Sequence, residues 1–224
     1  GVEEVALGAD LCSVQEAEDF LEEVPDKLPF MGTSCCPAWS SMAKKEFPKS
    51  ADCISMALTP MTLTARMVRS QHPNAKIVFV GPCSAKKLEA MRTSVRSEVD
   101  FVLTFEEMAG MMDARDIDYL SLADDNKSDF DVASEDARNF AVSGGVANAV
   151  ANVIRRDHPD AEVKIACSES LDGCRKMMKD AVKGKYPGYL LEGMACPGGC
   201  IAVAGRSRSR SRSLRAPSLS PISS

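Results

Sequence analysis

Lys76-Ile77-Val78-Phe79-Val80-Gly81-Pro82-Cys83 is the stretch from which the fold is read. A short apolar run follows a Pro-Asn turn and ends on Gly-Pro, the pattern of a strand buried on both faces. Such strands belong to parallel sheets covered by helices. Working outward, helical and strand-like segments alternate, which predicts α/β architecture. Upstream, a helix is expected from Pro60 to about Gln71, and Pro37 suits the first turn of a helix running to about Phe47. Val14 to Val24 reads as an amphipathic helix with Ser13 as N-cap and Glu16 closing a capping box. Downstream, Asp100–Thr104 is a strand leading into a helix through Met112, and the polar residues 114–138 form a surface excursion. Gly144-Gly145 opens a helix through about Arg156. Val163–Cys167 is a strand, Leu171–Val182 a helix, and Tyr189–Met194 a final strand running into Cys196.

The chain of 224 residues can bury a sizeable core, and 45% hydrophobic with 26% charged residues is the balance of a soluble globular protein. It opens Gly-Val-Glu-Glu, which reads as a fragment or processed chain. No apolar run approaches the roughly 18–20 residues of a membrane span and no signal peptide is visible, so no membrane association and a cytoplasmic location are expected. The net charge of −5 divides unevenly. Five arginines, from Arg206 to Arg215, lie in the last 19 residues, which leaves 22 basic against 32 acidic residues, about −10, in the rest. An acidic body argues against nucleic-acid binding, which needs clustered Lys and Arg. Residues 206–224 are Arg/Ser-rich and then Ser/Pro-rich. They read as a disordered tail, an appendage to the core's chemistry or a basic partner-binding segment.

Nine cysteines are present, in an odd number and widely spaced, unlike a secreted disulfide framework. In a reducing compartment such cysteines are metal ligands or reactive thiols. Five of them fall in three segments: Thr33-Ser-Cys35-Cys36-Pro37-Ala-Trp39, Gly81-Pro82-Cys83-Ser84-Ala-Lys86-Lys87-Leu-Glu89 and Glu192-Gly-Met194-Ala-Cys196-Pro-Gly-Gly-Cys200. Each follows a strand or precedes a helix, at the sheet edge where α/β folds bind ligands. Thiolates suit iron–sulfur clusters. Cys196 and Cys200 are one helical turn apart, with glycines between them that let the backbone pass a bulky group. Cys36 and Cys83 can complete a set of four. The tight C-x2-C pairs of many zinc sites are absent, and inert buried cysteines are the remaining reading of the spacing. Cys12, Cys53, Cys167 and Cys174 match no motif and read as ordinary buried cysteines. His72 and His158 read as surface residues.

Together, and in this order, the three segments resemble the T-S-C-C-P-x-W, P-C-x-x-K-x-x-E and E-x-M-A-C-x-x-G-C motifs of the [FeFe]-hydrogenase catalytic domain. The resemblance runs from about Gly8 to Cys200 and includes Gly8-Ala9-Asp10 and Ser143-Gly144-Gly145-Val146. It implies two α/β lobes with mostly parallel sheets flanking a cluster-binding cleft, about 1–110 and 111–205. It implies a [4Fe–4S] cubane on Cys36, Cys83, Cys196 and Cys200, with Cys200 bridging to a diiron subcluster carrying CO, cyanide and azadithiolate ligands (the H-cluster). Cys35 maps to the proton-relay thiol and Lys86 to the lysine that contacts a cyanide. Pro82, Ser84, Met194, Gly144 and Gly145 map to the cofactor pocket. Glu16, Asp19 and Ser55 resemble the relay carrying protons to Cys35, with Asp19 shorter than the usual glutamate. The implied activity is interconversion of H2 with protons and electrons. The implied partners are ferredoxin or another redox protein and hydrogenase maturation proteins, in the cytoplasm or an anaerobic organelle.

The sequence departs from the family at several points. Gly81 stands where many members have methionine, and Met61 where glutamine is common. The chain after Cys200 and the ferredoxin-like N-terminal domains differ from the family or are missing. A non-catalytic relative, such as an iron–sulfur carrier or assembly protein or a redox or H2 sensor, is the alternative. In assembly homologues the first cysteine of the pair is typically replaced, and here it is kept as Cys35.

Overall fold

A computed structural model of the protein describes residues 1–119, 121 and 133–202. The expected Arg/Ser tail lies outside the described residues, as do residues 120 and 122–132 of the expected 114–138 excursion. In chain order the elements are α1 (Ala6–Glu23), β1 (Phe30–Gly32), α2 (Pro37–Glu46), α3 (Pro60–Gln71), β2 (Val78–Gly81), α4 (Ala85–Ala90), β3 (Phe101–Thr104), α5 (Phe105–Asp113), α6 (Glu135–Arg138), α7 (Gly145–Asp157), β4 (Lys164–Glu169), α8 (Ser170–Val182) and β5 (Tyr189–Met194). The fold is α/β with parallel sheets, as the alternation of segments predicts.

One sheet has the order β1-β5-β4, all parallel, with Met31 opposite Leu190 and Cys167 opposite Glu192. Successive side chains of β5 point to opposite faces. Leu190 therefore joins Ala17, Phe20, Val150 and Ile154 from α1 and α7. Leu191 faces Trp39, Met42, Met177 and Met178 from α2 and α8. Both leucines are fully buried, each contributing about 1.5–3 kcal/mol. The sheet is covered on both sides, and its carboxyl ends emerge together at the loops carrying Cys35, Cys36, Cys196 and Cys200.

Gly193 shows how tightly β5 is held. A Cβ there would lie 2.2 Å from the Trp39 ring and 2.6 Å from two more of its atoms. The indole cannot retreat, being fully buried with Nε1 donating to the Thr33 carbonyl at 3.0 Å. Gly193→Ala is expected to cost about 1–3 kcal/mol by overpacking; an unchanged denaturant midpoint would contradict this packing.

The second sheet is the pair β2-β3, parallel, with Val78 opposite Phe101. The expected burial of Lys76–Gly81 is not observed. Val78 is 46% and Phe101 61% exposed. A cleft of about 830 Å³, lined by Val5, Ala65, Val68, Ile77 and Phe79 among others, separates this sheet from α3. The run is apolar on both faces, but among the described residues only helices α4 and α5 contact the pair substantially.

Three further expectations are corrected. α1 begins at Ala6, not Val14, because Gly8 allows close contact with α3: a Cβ there would lie 2.4 Å from the Pro60 carbonyl oxygen. The Ser13–Glu16 capping box therefore does not form. Ser13 lies mid-helix and its hydroxyl donates to the Ala9 carbonyl at 3.0 Å. The end of the 114–138 segment is not a surface excursion: Ala133 and Ala137 are buried beside Ala9 and Cys12. Asp10 accepts hydrogen bonds from the Ser134 N–H (2.9 Å) and hydroxyl.

Candidate metal centre

The first cysteine loop leaves β1 and is fixed on three sides. The Thr33 N–H donates to the Leu191 carbonyl at 2.9 Å, the Ser55 N–H to the Gly32 carbonyl at 2.8 Å, and the Ser34 hydroxyl to the Ala57 carbonyl at 2.8 Å. Cys36 is the N-cap of α2 with Pro37 in the first turn, as expected, so the positive end of the helix lies at this thiol. Cys83 follows β2, and its carbonyl accepts from the Lys86 N–H at 3.3 Å. Ser84 is exposed at the start of α4, and Pro82 is partly buried.

Cys196 and Cys200 follow β5, and the single helical turn expected between them is not formed. Gly198 (φ +79°) and Gly199 (φ +82°) reverse the chain there, a conformation that side chains with a Cβ resist. The Gly199 N–H donates to the Cys196 carbonyl at 3.0 Å, closing the turn.

Cys196 and Cys200 each feel Cys36 and Cys83 across the loops. Burial pushes the Cys200 thiol up to about 11, reinforced by Cys36, Cys83 and Cys196 and opposed by Lys86. Cys196 is raised by burial, then by Cys36 and Cys83. Yet among the described residues no three His, Cys, Asp or Glu side chains gather closely enough for a single metal ion. By donor chemistry, a soft all-sulfur set supplied by three loops matches iron–sulfur clusters. The residues present thus fit a cubane.

Lys86 is buried, not solvated. Its ammonium donates to Glu89 Oε2 at 2.8 Å and to the Cys35 carbonyl at 3.2 Å. Glu89 in turn accepts from the Thr59 hydroxyl and from Thr62 Oγ1 at 3.3 Å. Cys35 is partly buried, and its thiol is held well above the ordinary range by burial, then by Glu16, Cys12 and Glu192.

Glu16 is fully buried on α1. Its Oε1 accepts from the Ser34 N–H at 2.9 Å and the Ser34 hydroxyl at 3.2 Å. Burial pushes its carboxyl up to about 7, against the opposing effect of Ser34 and, more weakly, Ser55. Glu16 Oε2 has no hydrogen-bond partner among the described residues. Ser55 is buried and accepts from the Ala57 N–H at 3.0 Å. Asp19, half-buried on the same helix, accepts from Gln15 Nε2 at 2.9 Å and lies near enough to Glu16 to raise it further.

Met194 is buried among Ala9, Cys12, Phe140 and Val146, with Cys35 packed against the group. Gly144 and Gly145 have their N–H groups engaged within the protein: Gly144 donates to Glu192 Oε1 at 2.7 Å, and Gly145 to the Val142 carbonyl at 2.9 Å. Sequence reasoning placed Glu192 at the head of the third motif but assigned it no role, and it missed Glu169, which precedes α8 and carries no motif signal. Cys12, Cys53 and Cys174 are buried as expected, whereas Cys167 is exposed. Cys174 lies near enough to Cys36 to be raised by it, after burial, to about 12. His72 and His158 are exposed, as expected.

No helix among the described residues is long and apolar enough to cross a membrane. Residues 1–204 match the family described as iron only hydrogenase large subunit, C-terminal domain. The NADP-reducing hydrogenase subunit HndD of Solidesulfovibrio fructosivorans is 29% identical over 250 residues, covering 89% of this chain and 42% of that protein. The cytosolic Fe-S cluster assembly factor NAR1 of Kluyveromyces lactis is 29% identical over 100 residues, covering 45% of this chain and 21% of that protein. The fold superposes on the [FeFe]-hydrogenase HydA1 from Chlamydomonas reinhardtii with a TM-score of 0.68 at 21% identity, covering 93% of this chain and 73% of that one. The chain spans about half, or less, of the length of the first curated relatives it matches. With the family match running from the first residue through the last cysteine motif, the chain belongs to the iron-only hydrogenase large subunit family.

Proposed function

We propose that the chain is a hydrogenase core that holds a [4Fe–4S] cubane on Cys36, Cys83, Cys196 and Cys200 and, through Cys200, a diiron unit with CO, cyanide and azadithiolate ligands. The observation carrying this reading is that Cys196 and Cys200 feel Cys36 and Cys83 from two other loops, with the buried Lys86 ammonium bonded to the Cys35 carbonyl of the first loop. When bound, the cluster would supply the electron path and the chemistry of the H–H bond.

The protein's own residues then divide the remaining work. The four thiolates hold the metal. Lys86 keeps a cation in a desolvated pocket, oriented by Glu89. Cys35 holds a proton at Sγ, because burial and neighbouring acids disfavour its thiolate. Glu16 exchanges a proton near neutral pH, the range in which a general acid–base group works best. Asp19, more exposed on α1, would lead toward solvent. A ferredoxin or other redox protein would exchange electrons, and maturation proteins would install the diiron unit, in the cytoplasm or an anaerobic organelle.

A non-catalytic iron–sulfur carrier is the second reading. It is favoured by the likeness to an assembly factor and by Asp19 bonding to Gln15 rather than to Glu16. Infrared spectroscopy separates the two. After anaerobic maturation with a synthetic diiron precursor, CO and cyanide stretching bands are expected, with loss of those bands in Cys200→Ala. A protein that binds a cubane yet shows no such bands would be a carrier.

A further inference from the structure

The Cys196–Cys200 loop contains two glycines in left-handed conformation, and such a loop keeps its shape only if other parts of the fold hold it. Two glutamates outside the ligand set do so. Glu169, the last residue of β4, accepts the Gly198 N–H on Oε2 at 2.9 Å. That N–H, and after it the Ser143 side chain, hold the Glu169 carboxyl below the usual carboxylate range. Glu192 on β5 is buried, and its two oxygens accept the Gly144 N–H at 2.7 Å and the Ala147 N–H at 2.8 Å.

Those donors belong to the first turn of α7, whose own N-cap, Gly144, has no side chain to satisfy them. Glu192 therefore caps α7 from a neighbouring strand. The segment just before α7 is the wall on which the loop leans: Val142 and Gly199 form an antiparallel bridge, and a Cβ on Gly199 would lie 2.4 Å from the Ala141 carbonyl oxygen. The loop, residues 141–147 and the ends of β4 and β5 thus close a ring of contacts.

We infer that Glu169 and Glu192 are positioning residues that set the spacing of Cys196 and Cys200, Glu169 by holding the Gly198 N–H and Glu192 by anchoring the start of α7. The inference rests on the proposed cluster. It has an electronic consequence too. Hydrogen bonds to cluster sulfurs and nearby charge tune the potential. Glu169 takes one N–H donor for itself and sets a negative charge on the backbone between the two cysteines, and both effects favour the oxidised cluster.

The test uses the full chain, reconstituted anaerobically with ferrous iron and sulfide so that only the cubane is present, as wild type, Glu169→Gln and Glu192→Gln. Glu169 is exposed, so Glu169→Gln is expected to keep the wild-type melting temperature. Its amide oxygen accepts the Gly198 N–H more weakly than the carboxylate does, so its cubane should be lost a few-fold faster to a chelator. Its midpoint should rise, the reduced-to-oxidised ratio at the wild-type midpoint moving up to about tenfold, or roughly 59 mV for one electron. Glu192→Gln should lose the cubane faster still; if it does not fold, Glu169→Gln decides alone. Variants matching a loaded wild type in chelator resistance and potential would overturn the clamp and leave the cluster reading standing. A wild-type chain that takes up no cubane would overturn that reading and the clamp with it.

Discussion

Replacing Glu16 by Gln is expected to make the protein progressively more stable than wild type as pH rises, by about 3 kcal/mol between pH 4 and pH 8. The carboxyl titrates near its ordinary value of 4.5 when unfolded but at about 7 in the fold, where burial disfavours the charged form. Between those values the folded chain binds more protons than the unfolded one, so wild-type stability is greatest below pH 4.5 and falls as pH climbs toward 7. A shift of that size corresponds to about 3 kcal/mol at 1.36 kcal/mol per unit. Glutamine does not titrate, so its stability lacks this slope. Any fixed cost of placing an amide beside Ser34 shifts both ends of the comparison equally and leaves the slope intact. Urea unfolding of both proteins across that range measures it, and parallel pH profiles would show that Glu16 is not held in the desolvated state described. Under the proposed function the same variant keeps the hydrogen bond to Ser34 but carries no proton. Hydrogenase turnover of the matured protein should then fall by about 10²–10⁴-fold, the usual contribution of a positioned acid–base group.

The second large effect is expected at Glu89. Its carboxylate is buried against the Lys86 ammonium and the Thr59 and Thr62 hydroxyls. Removing one member of a buried ion pair leaves the other charged and uncompensated, at about 3–5 kcal/mol. Glu89→Ala leaves Lys86 with the Cys35 carbonyl alone, and for a chain of this size the melting temperature should drop by roughly 6–20 °C. The double variant Lys86→Met/Glu89→Leu removes both charges and should recover much of that loss. A Glu89→Ala protein melting within a degree or two of wild type would mean that Lys86 reaches solvent, contrary to the buried pair.

Much of this arrangement was legible in the sequence. Pro37, Pro60 and Gly144 punctuate their helices sharply, and α2, α3 and α7 begin where those residues predict. The β5 run into Cys196 was equally clear. The start of α1 was not, because Ala6–Asp10 is helical through a close crossing with α3 at Gly8, a tertiary contact that local pattern does not encode. The apolar run of β2 was read as buried since period alone cannot tell what covers a strand. Spacing and thiol chemistry suggested one ligand set and the resemblance made it specific, and in the fold Cys196 and Cys200 feel Cys36 and Cys83. Glu192 was in view as a motif residue, but its role and that of Glu169 stayed hidden because their partners are backbone N–H groups, which every residue but proline has. Which of those groups lack a partner depends on the fold.

The thinly covered β2-β3 pair bears on how a cluster would be received. Cys36, Cys196 and Cys200 hang from a sheet sealed on both faces, whereas Cys83 hangs from a two-stranded ribbon with exposed valines and a cleft behind it. Under the proposed function the ligand set is therefore rigid at three positions and compliant at one. Three thiolates form a ready-made seat, and the fourth swings in on a softer arm. The inserted cluster would then act as a cross-brace between the two sheets, lending the weaker one a stiffness that its own packing does not provide.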